Sequence, residues 1–254
     1  MQRVNYNDIA ELYDESLRDH AVDLNLCDFL RTHLIPPSEA RILDVGCGTG
    51  KQLTANRAQF SDMPMVGLDL SDGMLKVARR RCLTVAWVTG DGAVLPFREN
   101  RFDYVCNQFS YPHVHEKEKM FHEVFRVLKP GGRFALTNID PWSMANWIIY
   151  RCFPSARDLD YRDFLPVDKL NACLREAGFI QVQRQLKHRT ERQKLGEFLQ
   201  YASQRYRASQ FMAISDNDYH AGIDRLEQML AGGEQEIDSE TCLMTIICDK
   251  PCSV

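Results

Sequence analysis

The stretch Leu43-Asp44-Val45-Gly46-Cys47-Gly48-Thr49-Gly50 decides the fold. Arg41 to Val45 is a short apolar run that reads as a buried strand, and it leads directly into a turn with alternating glycines. Glycine accepts positive φ and carries no Cβ, so a ligand can approach the backbone. The helix expected from about Lys51 presents unpaired N–H groups to the same place. The dinucleotide fingerprint GxGxxG would need its third glycine at position 51, which is Lys; the turn is GxGxG.

Working outward, strands and helices alternate. Met65–Leu68, Val85–Val88, Phe102–Asn107 and Arg133–Thr137 read as strands. Ser71–Arg80 reads as a helix with Ser71 or Asp72 at its N-cap. Glu116–Leu128 reads as an amphipathic helix broken by Lys129-Pro-Gly-Gly132. Val167–Ala177 is a further helix, ended by Gly178, with Ile180–Leu186 and Cys242–Cys248 as the last strands. Such alternation implies right-handed crossovers and a mostly parallel sheet covered on both faces. Two stretches break the pattern: the aromatic, Pro-punctuated 138–165, and 189–237, which reads as helical and polar.

Acidic residues support the turn. Asp69 ends the second strand, where a carboxylate can accept from ribose hydroxyls, and Asp91-Gly92 follows the third, where one can accept from an adenine amine. With Asp44, these describe a nucleoside with a nearby cation, not a pyrophosphate.

Ile42–Gly50, Gly67-Leu-Asp-Leu-Ser71, Gly90–Phe97, Phe102-Asp-Tyr-Val105 and Glu123–Gly132 together resemble the class I S-adenosylmethionine-dependent methyltransferases, in their small-molecule branch. The resemblance covers residues 1–137 in motif and the rest in layout. It implies an α/β, Rossmann-like fold with a seven-stranded, mostly parallel sheet, helices on both faces and helical lid insertions. It also implies S-adenosyl-L-methionine as cofactor. Residue by residue, Gly46, Gly48 and Gly50 would floor the methionine part, and Asp44 would meet its amino group. Asp69 would hold the ribose with Leu70 beside the adenine, and Asp91 and Gly92 would meet the adenine edge. Asn107 would offer its carbonyl to the amino group. Tyr13, with Tyr6 and Asp14, resembles a segment that closes over the cofactor. Met74 either stacks on the base or belongs to the core. A single domain over 1–254 is expected, with 1–35 as an N-terminal helical lid and 138–165 and 189–237 as lid and substrate insertions.

Composition bounds the partners. The 254 residues are 44% hydrophobic and 26% charged, enough for a sizeable core, and the formal net charge of -4 disfavours nucleic acid. Nine cysteines lack any CxxC pair, Met1–Asp8 has no apolar leader, and no apolar run spans a bilayer. A cytoplasmic protein with free thiols, no membrane span and no metal is expected. His113 and His115 alone do not make a ligand set.

Methyl transfer needs an acceptor brought close and stripped of water; a base helps where the acceptor must lose a proton. Candidates follow the fourth strand: His113, whose reference pKa is near neutral, and Tyr111 for positioning. Trp142, Trp147, Tyr150, Phe153, Tyr161 and Phe164 either wall an apolar, aromatic-accepting pocket or pack a lid. Arg192, Arg205 and Arg207 among aromatics either hold a substrate carboxylate or form a solvated face. Lys51 and Asp91-Gly92 argue against a nucleotide-dependent oxidoreductase, and the intact acidic and glycine residues against a non-catalytic cofactor-binding protein. Asp69→Ala should weaken S-adenosylmethionine binding by ~2 kcal/mol through lost charge-assisted hydrogen bonds. Titration calorimetry giving an unchanged affinity would remove the ribose assignment.

Overall fold

The computed structural model describes residues 4–16 and 20–252; residues 1–3 and 17–19, which belong to the expected N-terminal lid, and 253–254 lie outside the described residues. In chain order the elements are α1 (Ala10–Ser16), α2 (Leu24–His33), β1 (Ile42–Val45), α3 (Lys51–Gln59), β2 (Met65–Asp69), α4 (Asp72–Arg81), β3 (Ala86–Thr89) and β4 (Phe102–Gln108). A 3-10 turn at Tyr111–His113 precedes α5 (Lys117–Val127) and β5 (Leu128–Ile139). Then come α6 (Ile148–Cys152), α7 (Pro154–Asp163), α8 (Val167–Glu176), β6 (Ile180–Lys194), α9 (Leu195–Ala202), α10 (Ser209–Ala213), α11 (Asp216–Ala231) and β7 (Glu236–Asp249).

The chain divides into two compact units. The first described here holds residues 6–138, 167–185 and 245–254. Strand order in the sheet is β3-β2-β1-β4-β5-β7-β6. β1 runs parallel to both β2 and β4, and β4 parallel to β5, as the alternation predicts. β7 runs antiparallel to β5: Gly131 N donates to Lys250 O, Arg133 pairs with Asp249, and Thr137 Oγ1 meets Thr245 Oγ1, so one numbering falls as the other rises. Neighbouring residues on β5 show that both faces are covered. Ala135 packs with Leu26, Phe29 and Leu53 from α2 and α3, while Phe134 faces Phe121 of α5 at 6.4 Å. β1 is wholly buried between β2 and β4, and the chain crosses from one side of it to the other before β4. The carboxyl ends of β1 and β4 therefore flank the switch point where open α/β sheets bind ligands.

Two stretches differ from the sequence reading. The strand expected to end at Leu186 continues to Lys194, and the last strand begins at Glu236 rather than Cys242. Lys187–Lys194 is almost entirely exposed on the sheet's edge strand, so it carries no apolar period that would mark it as strand; its charges also protect the edge.

The other unit holds residues 139–166 and 186–244 and has a core of its own. Phe153, fully buried, lies 4.8 Å from Phe211 and 6.1 Å from Tyr219. Tyr150 is buried there too, so it and Phe153 serve packing and are removed from the expected substrate wall; Phe164 is also buried. Arg205 donates to the carbonyls of Phe211 and Ile214, Arg207 to Gln204 Oε1, and Arg192 pairs with Asp238. These contacts lie within the unit; Arg205 and Arg207 are half-buried over the rings of Tyr219 and Tyr201, and Arg192 is exposed. Trp142 and Tyr161 remain 40% exposed and stack at 5.4 Å.

Asp160 is buried in this unit and accepts from Tyr150 Oη at 2.7 Å and Gln210 Nε2 at 3.0 Å. Burial nevertheless lifts its pKa from 3.8 to about 6. A carboxyl with a raised folded-state pKa holds its proton more tightly folded than unfolded, so it costs stability as pH climbs from about 4 to about 6. Asp160→Asn should therefore stabilise the protein by on the order of 2 kcal/mol at pH 7 and change little at pH 4. Thermal unfolding of both proteins across that range checks the sign.

Candidate functional site

The glycine turn is pinned to β2. Gly46 N and Cys47 N both donate to Leu68 O, at 2.7 and 3.0 Å, and Gly48 N donates to Asp69 Oδ2 at 2.8 Å. The other oxygen of Asp69 accepts from Ser71 N at 2.8 Å, in the loop before α4. Ser71 is the N-cap of that helix, its Oγ accepting from Met74 N. Burial raises the Asp69 pKa, while the bonds from Ser71, Gly48 and Leu70 pull it back down. Each carboxylate oxygen accepts more than one bond, so Asp69 retains capacity for a pair of hydroxyls.

The glycines differ in what they do. A Cβ on Gly50 (φ 76°) would lie 2.4 Å from the Trp87 ring, and one on Gly46 2.1 Å from Ser110 Oγ. A Cβ on Gly48 (φ 54°) would meet nothing within 4 Å. Gly50 and Gly46 are thus small because protein packs against them, and Gly48 faces open space.

Asp44 is 2% exposed and accepts from the Cys106 thiol. Its Oδ1 is buried with no hydrogen-bond partner. Burial, with the nearby charges of Asp23 and Asp69, drives its pKa up to about 7. Asn107, fully buried, donates from Nδ2 to Val45 O at 2.9 Å and to Ser110 Oγ at 2.6 Å, and its Oδ1 accepts from Tyr111 N. Its side chain ties the ends of β1 and β4 together. Ser110 was not singled out from sequence; its hydroxyl, three residues after Asn107, also bonds Val45 O.

Asp91 is half-buried; its Oδ1 accepts from Ala93 N at 2.9 Å, an Asx turn that fixes the carboxylate after β3. Gly92 is buried beside Val45 and Met120. Leu70 is 54% exposed. Met74 is 4% exposed and clusters with Ala10 and Val77, with Tyr6 and Tyr13 packed against them. Tyr111 is fully buried in the 3-10 turn after β4. His113 is exposed, its ring 5.9 Å from Tyr6, which lies 5.5 Å from Tyr13.

A residue missed from sequence stands between Asn107 and Ser110. Phe109 has φ 56° and is 46% exposed, with its N–H held by Thr137 O. A bulky side chain in the left-handed region costs roughly 1–2 kcal/mol, and such strain gathers at functional positions. No run of glycine or asparagine marks the place in the sequence.

An unpartnered buried carboxylate oxygen suits an ammonium, open space at Gly48 suits a close ligand, and Asp69 suits a ribose: the residues fit S-adenosylmethionine. A family profile described as a methyltransferase domain matches residues 42–132. Demethylmenaquinone methyltransferase of Symbiobacterium thermophilum is 32% identical over 187 residues, which is 61% of this chain and 74% of that one. The chain belongs to the class I S-adenosylmethionine-dependent methyltransferases. The ubiquinone/menaquinone biosynthesis C-methyltransferase UbiE of Ruegeria is 33% identical over 50% of this chain and 54% of its own. Two further demethylmenaquinone methyltransferases are matched over 40% and 42% of their length. In fold, phosphoethanolamine N-methyltransferase 2 of Haemonchus contortus aligns with a TM-score of 0.61 at 19% identity, covering 99% of this chain and 60% of that one.

The contrast between the glycines can be tested directly. Gly50→Ala should destabilise the fold by about 3 kcal/mol, from left-handed strain and collision with Trp87. Gly48→Ala should cost only about 1 kcal/mol of stability yet weaken S-adenosylhomocysteine binding at least tenfold. Melting curves and calorimetry on the two variants should show the effects separated in this way.

Proposed function

We propose that this methyltransferase acts on a small, apolar aromatic acceptor, with the cofactor held by the residues at the carboxyl ends of β1 to β4. Asp44 receives the ammonium of the cofactor's amino-acid end, Gly48 lets the chain come close, Asp69 accepts from the ribose hydroxyls, and Asp91 and Gly92 read the adenine edge. When bound, S-adenosylmethionine supplies an electrophilic methyl group on a sulfonium. The protein then has to orient the acceptor and keep water out. In this reading His113, exposed after β4, takes a proton from the acceptor. Phe109 offers it an apolar face.

The orphaned Oδ1 of Asp44, one strand residue before the turn in which Gly48 leaves open space, is the observation that carries this reading. The aromatic acceptor is supported by the strained, exposed Phe109 and by relatives whose names specify quinone substrates. Net charge of -4 supports a small molecule over nucleic acid. Among the described residues no helix is long and apolar enough to cross a membrane. All nine cysteines are unpaired, which supports a reducing, cytoplasmic setting.

The test is S-adenosylhomocysteine formation from S-adenosylmethionine across a panel of hydroquinones, naphthols, phenols and aliphatic amines. Turnover of ring compounds and not of amines is expected; the reverse order would overturn the acceptor class. On the best acceptor, His113→Ala should lower kcat on the order of 10²-fold. It should leave the affinity for S-adenosylhomocysteine nearly unchanged, and an unchanged kcat would strip His113 of its role as base.

A further inference from the structure

The surroundings of Asp44 carry a consequence beyond holding a ligand. On β1 this side chain is enclosed by groups that are neutral or negative. Cys106 of β4 donates its thiol to it, and the β2 residue in register with it is Gly67, which brings no charge. Cys47, in the turn, is buried with its thiol pushed well up. Asp69 closes the end of β2. Asp23, the N-cap of α2, is buried and is held by Tyr104 Oη at 2.8 Å. The charged groups that act on Asp44 are Asp23 and Asp69, and neither is a cation.

Asp44 and Asp23 are buried, Asp69 is half-buried, and among the described residues Asp44 Oδ1 has no hydrogen-bond partner. An ionised carboxylate in such a place is destabilised by desolvation and by its like-charged neighbours. Protonation removes the charge. Arrival of a cation removes the same penalty in another way, since an ammonium supplies both the missing donor and the missing charge.

We propose that Asp44 is a proton-exchange latch: it holds a proton while the site is empty and releases it to solvent when the cofactor's ammonium docks. The exchange balances as a neutral carboxylic acid plus a ligand ammonium giving a carboxylate–ammonium pair and one proton taken up by buffer. No electrons move and no covalent bond other than the O–H is broken. The inference rests on the methyltransferase reading of the site. It gives the site a selectivity that hydrogen bonding to the nucleoside alone does not. A nucleoside lacking the ammonium cannot displace the proton and so gains nothing from Asp44.

The sign of the pH dependence follows. Burial and like charges set the empty-site pKa near 7, and the bound ammonium lowers it. Affinity should fall about tenfold for each pH unit below 7 and level off above it. At pH 6 the ligand's own α-amine is already protonated, so the proton released there comes from the protein.

Isothermal titration calorimetry of the whole chain with S-adenosylhomocysteine at pH 6, in buffers of different ionisation enthalpy, counts that proton. Close to one proton released per ligand bound is expected, with weaker affinity at pH 5. 5′-Methylthioadenosine, which has the nucleoside and sulfur but no ammonium, should bind with no release. Asp44→Asn should bind S-adenosylhomocysteine more weakly, with no release and a flat profile from pH 5 to 7. Binding by the native chain without proton release overturns the latch and leaves the cofactor assignment standing. Equal release by Asp44→Asn, or release on binding of 5′-methylthioadenosine, overturns it as well. Should Asp44→Asn fail to fold, the comparison of the two ligands on the native chain decides. A folded chain that binds S-adenosylhomocysteine at no pH overturns the cofactor reading and the latch with it.

Discussion

The bond from Gly48 N to Asp69 Oδ2 is the contact around which the site is organised. It joins the turn after β1 to the end of β2, and the second oxygen of the same carboxylate reaches Ser71 N at the start of α4. One side chain thereby sets the relative positions of two successive strand–helix turns. The bond is possible because parallel register puts Val45 beside Leu68, so the turn that leaves β1 passes the last residue of β2. It also explains the glycine spacing: the chain must stay left-handed at 46, 48 and 50 to keep its N–H groups turned toward β2. Trp87 then fills the hollow left by Gly50 and Gly67, so the same missing side chains that allow the turn also allow β3 to back it.

Such a site is built against stability. Asp23, Asp44 and Asp69 all have carboxyl pKa values raised by burial, and among the described residues the charges that act on Asp44 are the carboxylates Asp23 and Asp69. An ordinary core would place apolar groups there, since burial of unpaired charge costs several kcal/mol. The deficit is offset by the apolar packing around it, where Ile42, Leu43, Leu53, Tyr104 and Val105 are fully buried. Strain adds to the same account at Phe109, whose backbone would relax if a glycine stood there. The orphaned oxygen of Asp44 and the strained backbone of Phe109 lie on β1 and just past the carboxyl end of β4.

The parts of this arrangement legible in the sequence were those with local causes. β1, its turn and the acidic ends of β2 and β3 follow from apolar runs, glycine spacing and carboxylates in fixed order. The paired strands β6 and β7 were partly hidden because Lys187–Lys194 faces solvent, and an exposed strand has no apolar period. The burial of Tyr111 and Met74 was hidden for a different reason. A tyrosine or methionine near a ligand turn reads the same whether it meets the ligand or a helix, and here Ala10 and Tyr13 of α1, with Tyr6 before it, pack against Met74. Ser110 and Phe109 had no signal at all, since their roles come from a strand end on one side and a turn on the other.

The segment carrying Tyr13 is attached in another way from the rest. Asn7 Oδ1 accepts from Ser71 Oγ and Gly73 N, both at 2.9 Å, so it helps cap α4. Asp14 pairs with Arg81, which donates from Nε to Thr49 O inside the glycine turn, and Glu11 pairs with Arg80. The Glu11–Arg80 pair is about two-thirds exposed and contributes at most about 1 kcal/mol. Its apolar share is small: Ala10, Met74 and Val77, with Tyr6 and Tyr13 half-covering them. Contrast β1, which is held by wholly buried contacts on both sides. Elements held so differently differ in the cost of opening them. Asp69, Asn107 and Asp44 bond instead to Gly48, Ser71, Val45, Ser110 and Cys106, so release of the segment carrying Tyr13 leaves those bonds intact.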